Sequence, residues 1–465
     1  MVSPEFYGYH HSGGLGMAVS GLANALAEKG LEVTVAVPKY SIGSKVDSDP
    51  RIRVDLMEGS FNIFRGYDSY ERSRTSYTGN DERPAHPEQF KSAVEFAKQV
   101  GKHIKGIPPE KAPDVVHLHD WHSSLVPKIL KSMSINVPTL LTIHNANYTC
   151  PLPSPNYSRC DYDFPLAYAI MQDGRVYRSV LEFGVDTSTR VNTVSPTYAK
   201  ELLGRKSIGT TLREAISRRR NLVGILNGID PKLMNPSGDP HIANYDPTNP
   251  NTLNRGKGAN KLVLQTYFEL PKNDSELLVA MMGRPAKEKG INVILEAAQQ
   301  INQIDGLQLL IVGDAENDAR VMEKMRMLGG RIKASTSFAN PELQHMILAG
   351  SDAVIMPSLS EPCGLVQIEA MRYGTVPIVS RTGGLNDTVI SHAEEGGYGI
   401  FIDEVNPSSV SNALAQAVEL FRNPERWTQI AVTAAQQDFS WSGPRDSVGK
   451  YINLYERLIK PPKKT

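Results

Sequence analysis

The stretch Pro357-Ser-Leu-Ser-Glu-Pro-Cys-Gly-Leu-Val-Gln-Ile-Glu-Ala-Met371 decides how the rest of the chain is read. An apolar run of strand length, Ala353-Val-Ile-Met356, precedes it, and apolar residues at 365, 368 and 371 follow at helical spacing. Ser360, Glu361 and Pro362 predict a helix start, because proline fits the first helical position and lacks an N–H that would be orphaned there. Cys363, Gly364, Leu365 and Val366 would then offer free backbone N–H groups at the positive end of a helix, a seat for phosphate. Glu361 lies just outside that end, and Glu369, about two turns on, reaches the same mouth. A capped helix with surface acids is the plainer alternative, and this stretch alone does not separate the two.

Outward from it, the same grammar of strand, turn and helix continues. Strands are expected at Glu276-Leu-Leu-Val-Ala-Met-Met282 and at 307–312, 332–334, 353–356 and 376–379, alternating with helices near 291–303, 316–327, 341–349 and 365–373. The N-terminal half repeats the pattern. Gly13-Gly-Leu-Gly16 precedes a helix over 17–29, Gly30 ends it, and Leu31-Glu-Val-Thr-Val-Ala-Val37 is a buried strand. Met1-Val-Ser-Pro4 resembles the tail of a first strand whose opening residues are missing. Short strands are expected at 52–57 and 61–64, and a helix over 87–104. Asp114-Val-Val-His-Leu-His119 and Thr139-Leu-Leu-Thr-Ile-His144 then release Asp120, His122 and Asn145 at their C-terminal ends, where open parallel sheets place their ligands. A third such strand is Arg190-Val-Asn-Thr-Val-Ser195.

Two doubly wound, Rossmann-like α/β domains facing each other across a cleft are therefore expected. The first spans 1–230. Residues 231–258, rich in Pro, Asn, Asp and Gly, read as a linker or a crossing loop, with helix periodicity resuming at 260–268. The second domain spans 259–440, and a late helix at 441–460 is expected to return to the first.

Composition narrows the function. The 465 residues suit two or three domains, and 40% apolar with 22% charged residues describe an ordinary globular protein. Fifty basic and fifty acidic residues cancel, so neither nucleic acid nor an anionic membrane is an expected partner. Three cysteines (150, 160 and 363) do not make a disulfide framework and suit a reducing compartment, with the cytoplasm expected. His117, His119 and His122 around Asp120 invite a zinc reading, but no cysteine cluster completes a set, so no metal and no cofactor are expected. Neither G-x-S-x-G nor a recognisable Cys-His pair appears.

The remaining candidates converge on a diphosphate. Arg284 and Lys289, just after a strand in Gly283-Arg-Pro-Ala-Lys-Glu-Lys-Gly290, combine a fork and a point charge suited to a departing phosphate group. Thr382-Gly-Gly-Leu-Asn-Asp387 is another glycine turn after a strand. Gly13 and Gly14 on one domain, with Arg284, Lys289 and the 361–366 stretch on the other, suggest group transfer from an activated nucleotide.

With those residues in view, the sequence resembles the glycogen and starch synthase family of retaining glycosyltransferases, which have the two-domain GT-B fold. The resemblance runs nearly the whole length and rests on Gly13–Gly16, His119-Asp-Trp-His122, Thr142-Ile-His-Asn145, Asn192-Thr-Val-Ser-Pro-Thr-Tyr198, Leu226-Asn-Gly-Ile-Asp230, Arg284 with Lys289, Glu361-Pro-Cys-Gly-Leu365 and Thr382-Gly-Gly-Leu385. It implies transfer of glucose from ADP-glucose or UDP-glucose to the 4-OH of an α-1,4-glucan, without a metal. By the same resemblance Arg284 and Lys289 hold the donor phosphates, Glu361 faces the sugar, His144 lies by the glucosyl ring and Asp120 near the acceptor. Cys363, Gly364 and Leu365 belong to the phosphate-binding turn, Glu369 holds the ribose, and Gly13, Gly14 and His11 form the N-terminal donor loop. His11 and Met17 stand where many family members carry Lys and Asp. Glu369 resembles the broader glycosyltransferase pattern more than the usual ADP-glucose enzymes, so the base stays open among ADP, UDP and GDP. The 149–175 segment, with Cys150, Cys160, Tyr162 and Asp163, matches no glucan-binding pattern. A small acceptor such as an aminocyclitol or sugar, and a non-catalytic sugar-nucleotide-binding protein, remain alternatives.

Overall fold

The computed structural model describes residues 1–7, 9, 13–39, 51–57, 87–152, 177–204, 208–219, 221–283, 286–313, 324, 328–329, 331–335 and 341–460. His11, Arg284, the expected strand at 61–64, all but residue 324 of the expected helix at 316–327 and most of the 149–175 segment lie outside these residues. The chain divides into one unit of Met1–Gly228 with Arg445–Thr465 and a second of Ile229–Pro444.

In the first unit, helix α1 (Gly14–Glu28) buries Ala18, Leu22, Ala25 and Leu26 along one face. It stops at Gly30, whose φ of 85° suits glycine. The Gly30 N–H donates to the Ala27 carbonyl at 3.0 Å and the Leu31 N–H to that of Leu26 at 3.1 Å, closing the last turn. Strands β1 (Val33–Pro38) and β2 (Ile52–Met57) pair in parallel. Helix α2 (Pro87–Gly106) leads to β3 (Val116–His119), then α3 (Val126–Ser132), β4 (Thr139–Ile143), α4 (Val180–Thr187), β5 (Arg190–Thr193), α5 (Pro196–Gly204), α6 (Thr210–Arg218) and β6 (Val223–Gly224). Strands β3 to β6 are parallel and adjacent in order. Val2 joins the two sheets, bridging in parallel to Ala36 of β1 and Leu118 of β3. The strand expected at the start of the chain is thus represented by a short bridging segment between β1 and β3, and the continuous order is β2-β1-Val2-β3-β4-β5-β6.

Phe90, Phe96 and Val100 of α2, Leu118 of β3, Leu141 and Ile143 of β4, and Leu181 and Phe183 of α4 share one core. Each such fully buried side chain contributes about 1.5–3 kcal/mol. The final helix, α14 (Ser447–Ile459), belongs to this unit and buries Tyr451, Leu454 and Tyr455.

The second unit contains α7 (Pro250–Tyr267), β7 (Leu277–Met282), α8 (Ile291–Asn302), β8 (Leu307–Val312), β9 (Ile332–Ser335), α9 (Pro341–Gly350), β10 (Ala353–Met356), α10 (Val366–Arg372), β11 (Val376–Ser380), α11 (Gly383–Thr388), β12 (Ile400–Ile402), α12 (Pro407–Phe421) and α13 (Pro424–Ala435). Its strands form one sheet in the order β12-β11-β10-β7-β8-β9, parallel at every pairing. The chain winds outward in both directions from the β7/β10 boundary, and ligands bind outside the carboxyl ends of strands at such a switch point.

Residues 231–258 are not a free linker. Helix α7 begins inside them, because the Asn249 side chain accepts from the Asn251 and Thr252 N–H groups and Pro250 occupies the first turn. Asn260 of α7 exchanges two 2.9 Å hydrogen bonds with the Ala243 backbone, and the Tyr245 ring packs where a Cβ on Gly256 would be only 2.3 Å away. Asp239 accepts from the Tyr373 hydroxyl and pairs with His345, both at 2.6 Å. The polar composition reflects a loop pinned by hydrogen bonds rather than one left in solvent. Among the described residues, no helix is long and apolar enough to cross a membrane.

Candidate active site

In the first unit the switch point lies between Val2 and β3, so its mouth is formed by the segment after Val2 and by the end of β3. Glu5, which sequence reading passed over, accepts the Gly16 N–H at 3.3 Å and so places a carboxylate at the positive end of α1. Gly13 is half-buried and extended, with φ −177° and open space where a side chain would sit, and Gly14 is exposed. Neither is held by a conformation that only glycine adopts.

Asp120 follows β3 with φ 56° and ψ −172°, a strained backbone for a residue with a side chain. That turn carries its Oδ1 onto the backbone N–H groups of His144 (2.6 Å) and Asn145 (3.3 Å) at the end of β4. Burial pushes the Asp120 carboxyl up to about 7 in spite of those two donors, and the nearby Glu5 carboxylate adds to the rise. Behind it stands a ladder of histidines. His117 Nε2 meets Thr142 Oγ1 at 2.6 Å and its Nδ1 meets the Tyr455 hydroxyl at 2.8 Å, while His119 Nδ1 lies 3.0 Å from His144 Nε2. Burial lowers all three, His144 to about 3, so they are neutral imidazoles near neutral pH. His122 is stacked on Trp121 with ring centroids 3.8 Å apart.

In the second unit the loops after β7 and β10, the two strands at the switch point, are laced together. The Leu359 N–H donates to the Glu288 carbonyl at 2.8 Å. Gly290 has φ 77°, and a Cβ there would stand 2.0 Å from the Pro357 carbonyl oxygen, so only glycine lets the loops approach. This brings Lys289 Nζ within 2.5 Å of Glu361 Oε2, which also accepts from the Ser358 hydroxyl at 3.2 Å. The Glu361 side chain is buried and that of Lys289 is about a third exposed.

Pro362 does not open a helix. Helix α10 starts at Val366, because Gly364 takes φ 73°, outside the helical region. Gln367 stabilises that turn, its Nε2 donating to the carbonyls of Cys363 and Gly364 at 3.0 Å each. The expected phosphate seat is therefore a tight turn carrying Cys363, Gly364 and Leu365, with Cys363 itself buried. The glycine turn at α11 backs it: the Gly384 N–H donates to the Glu361 carbonyl at 3.0 Å, and a Cβ on Gly384 would stand 2.1 Å from the Cys363 oxygen. Glu369 is buried and accepts from Gln344 Nε2 of α9 at 2.9 Å; burial pushes its carboxyl up to about 7.

The starch synthase catalytic domain family matches residues 1–218, and the glycosyl transferases group 1 family matches residues 265–433. Glycogen synthase 1 of Rhizobium radiobacter is 31% identical over 98% of both chains. Glycogen synthase 1 of Synechocystis is 32% identical over 97% of this chain and 93% of its own. The chain belongs to the glycogen and starch synthase family. Among solved structures, the catalytic domain of starch synthase IV from Arabidopsis thaliana, bound to ADP and acarbose, superposes with a TM-score of 0.80, covering 98% of each chain at 24% identity. Sucrose-phosphate synthase from Thermosynechococcus elongatus superposes at 0.62, covering 96% and 94% at 21% identity. These likenesses identify the fold as GT-B, with two Rossmann-like domains.

As a glycosyltransferase of this family, the chain gathers its candidate residues in two groups. Asp120 and His144 meet in the first unit; Lys289, Glu361, Cys363, Gly364 and Leu365 meet in the second, with Glu369 on the helix that follows. Sequence reading missed Ser358, Gln344 and Glu5, and took His119 as a metal candidate and as part of the His119-Asp-Trp-His122 motif, without a role beside His144. The signals for His119 were that motif and its position two residues after His117, on the same strand face.

Proposed function

We propose that the chain transfers glucose from a nucleotide-glucose donor to the 4-OH of an α-1,4-glucan, with retention of anomeric configuration. The observation that carries this reading is the Lys289–Glu361 pair at the switch point of the second unit's sheet, 2.5 Å apart and backed by two glycine turns. A diphosphate competes with Glu361 for the Lys289 ammonium, and as the bond to the sugar breaks, Lys289 and Arg284 take up the charge gathering on the leaving group. Glu361, released toward the sugar, then stands where positive charge develops at the anomeric carbon. The Gly364 and Leu365 N–H groups would hold phosphate oxygens, and Glu369 the ribose.

The second unit would thus be the nucleotide-sugar half. The first unit would be the acceptor half, with His144 beside the glucosyl ring and Asp120 near the acceptor hydroxyl; a Glu369–ribose contact would suit ADP and UDP alike. The ADP and acarbose held by the Arabidopsis starch synthase IV structure, and the UDP-glucose held by the Anabaena HepE structure, support a nucleotide-sugar donor and a glucan acceptor. The cytoplasm is the proposed location.

The product tests the reading. Maltotetraose incubated with ADP-, UDP- and GDP-glucose should yield oligomers one glucose longer, each new linkage α-1,4 by proton NMR. A β-linked product overturns retention. Turnover on an aminocyclitol or simple sugar without longer oligomers favours a small acceptor, and donor binding without turnover favours a non-catalytic protein.

A further inference from the structure

The histidine ladder of the first unit contains more chemistry than one sugar-facing residue needs. Its hydrogen bonds fix where the protons are. Thr142 donates its single hydroxyl hydrogen to Asn192 Oδ1 at 2.7 Å, so it can only accept from His117 Nε2. His117 therefore carries its proton on Nε2, and its Nδ1 accepts from the Tyr455 hydroxyl. Asn192 Nδ2 donates to the Tyr451 hydroxyl at 3.2 Å, so α14 fastens the base of the ladder at two points.

The next rung is different. His119 is fully enclosed; its Nδ1 faces His144 Nε2 at 3.0 Å, and its Nε2 has no hydrogen-bond partner among the described residues. Its ring lies 4.2 Å from that of His117, which holds it against rotation. Two arrangements are open. If His119 were protonated on Nε2, that N–H would be a buried donor with no acceptor, and such orphans are rarer than under-used acceptors. If it is protonated on Nδ1, the donor is used on His144 and only a lone pair is left bare. The second arrangement makes His144 Nε2 the acceptor and leaves its proton on Nδ1, the nitrogen outside the pair.

We propose that His119 is a positioning residue that fixes His144 in the Nδ1–H tautomer, so that His144 offers a hydrogen-bond donor at the mouth of the first unit's sheet. A single N–H suits the hydroxyl oxygen of a sugar. Burial lowers both His144 and His119, and the His117 and His144 imidazoles add to the fall at His119, so the donor carries no charge that would oppose an oxocarbenium-like centre. The tautomer assignment stands on the structure; its use on a sugar rests on the proposed function.

The test uses the full chain and two readouts. Long-range proton–nitrogen spectra of 15N-histidine-labelled protein, with His144 assigned by its absence in H144N, report the tautomer without any turnover. Steady-state kinetics with a glucose donor report its consequence. H119N places an amide nitrogen where Nδ1 was and should rescue both; H119Q and H119L cannot donate from that place. Expected are an Nδ1–H His144 in the wild type and H119N, and mixed tautomers in H119Q and H119L. The kcat of the latter two should fall about tenfold to a hundredfold with the donor KM little changed, as for a misplaced reacting group. An Nε2–H His144 in the wild type, or an unaltered Nδ1–H spectrum in H119Q and H119L, overturns the inference. If H119Q and H119L do not fold, the wild-type spectrum still decides it. Altered tautomers with no glucosyl transfer in any variant or the wild type would instead sink the proposed function.

Discussion

Replacing Glu369 with glutamine separates what this carboxylate costs from what it does. Glu369 is 2% exposed, receives the Gln344 amide, and is pushed by burial from 4.5 up to about 7. Between those two values the folded state still holds the proton that the unfolded state has released. Stability therefore falls as pH rises from 4.5 to 7 and stays low above it. A difference of 7 − 4.5 = 2.5 on the pH scale, at about 1.36 kcal/mol each, makes the cost at pH 8 roughly 3 kcal/mol. Glutamine carries no charge at any pH and can pair with Gln344, so E369Q should recover that amount at pH 8 and nothing at pH 4.5. For a unit of this size 1 kcal/mol moves the melting temperature by about 2–4 °C, which puts the expected gain at about 6–12 °C. Melting curves of wild type and E369Q at half-unit steps from pH 4.5 to 8, with the second unit's transition identified by donor-nucleotide protection, measure it. If Glu369 holds the ribose as proposed, the same variant should bind donor more weakly, since an amide is a poorer acceptor for two hydroxyls. Equal melting temperatures at pH 8, or parallel pH profiles, would refute the assignment of a buried, costly carboxylate at this position.

Other perturbations address the remaining parts of the site. K289A and E361A should each lower kcat by about 10²–10³-fold while circular dichroism stays native, as when an electrostatic partner of the transition state is removed; substantial residual activity in either would sink the pairing. G290A forces a Cβ against the Pro357 carbonyl at φ 77° and should destabilise the second unit by more than about 1 kcal/mol in urea titration. D120N keeps an oxygen for the His144 and Asn145 N–H groups but no charge, so it should melt at or above the wild-type temperature at pH 8 and show lower transfer activity. A variant that melts lower at pH 8 would mean the Asp120 charge is stabilising.

The fold was legible because its signals are local. Apolar runs such as 277–282, ended by Gly283, and 353–356, ended by Pro357, and a helix closed by Gly30, are visible without any tertiary knowledge. The switch-point residues were legible too, since Asp120 follows β3 directly and Lys289 and Glu361 lie in the loops after β7 and β10. Local logic failed where two local signals competed. Pro362 looks like a first helical residue, but Gly364 and the Gln367 side chain hold a turn ahead of Val366. At Asn249-Pro250 a good cap and first-turn proline were masked by the surrounding polar composition. What sequence could not show is which side chains meet. His119 and His144 are 25 positions apart, Gln344 and Glu369 also 25, and Lys289 and Glu361 72, and only the sheet order brings each pair together.

Incorporation of radiolabelled glucose into glycogen tests glucosyl transfer most directly, with ADP-, UDP- and GDP-glucose supplied in parallel to the wild type, K289A and E361A. Labelled polymer from at least one donor with the wild type, and background counts from both variants, is the expected result. Background counts from the wild type with every donor, or wild-type counts from either variant, would contradict it.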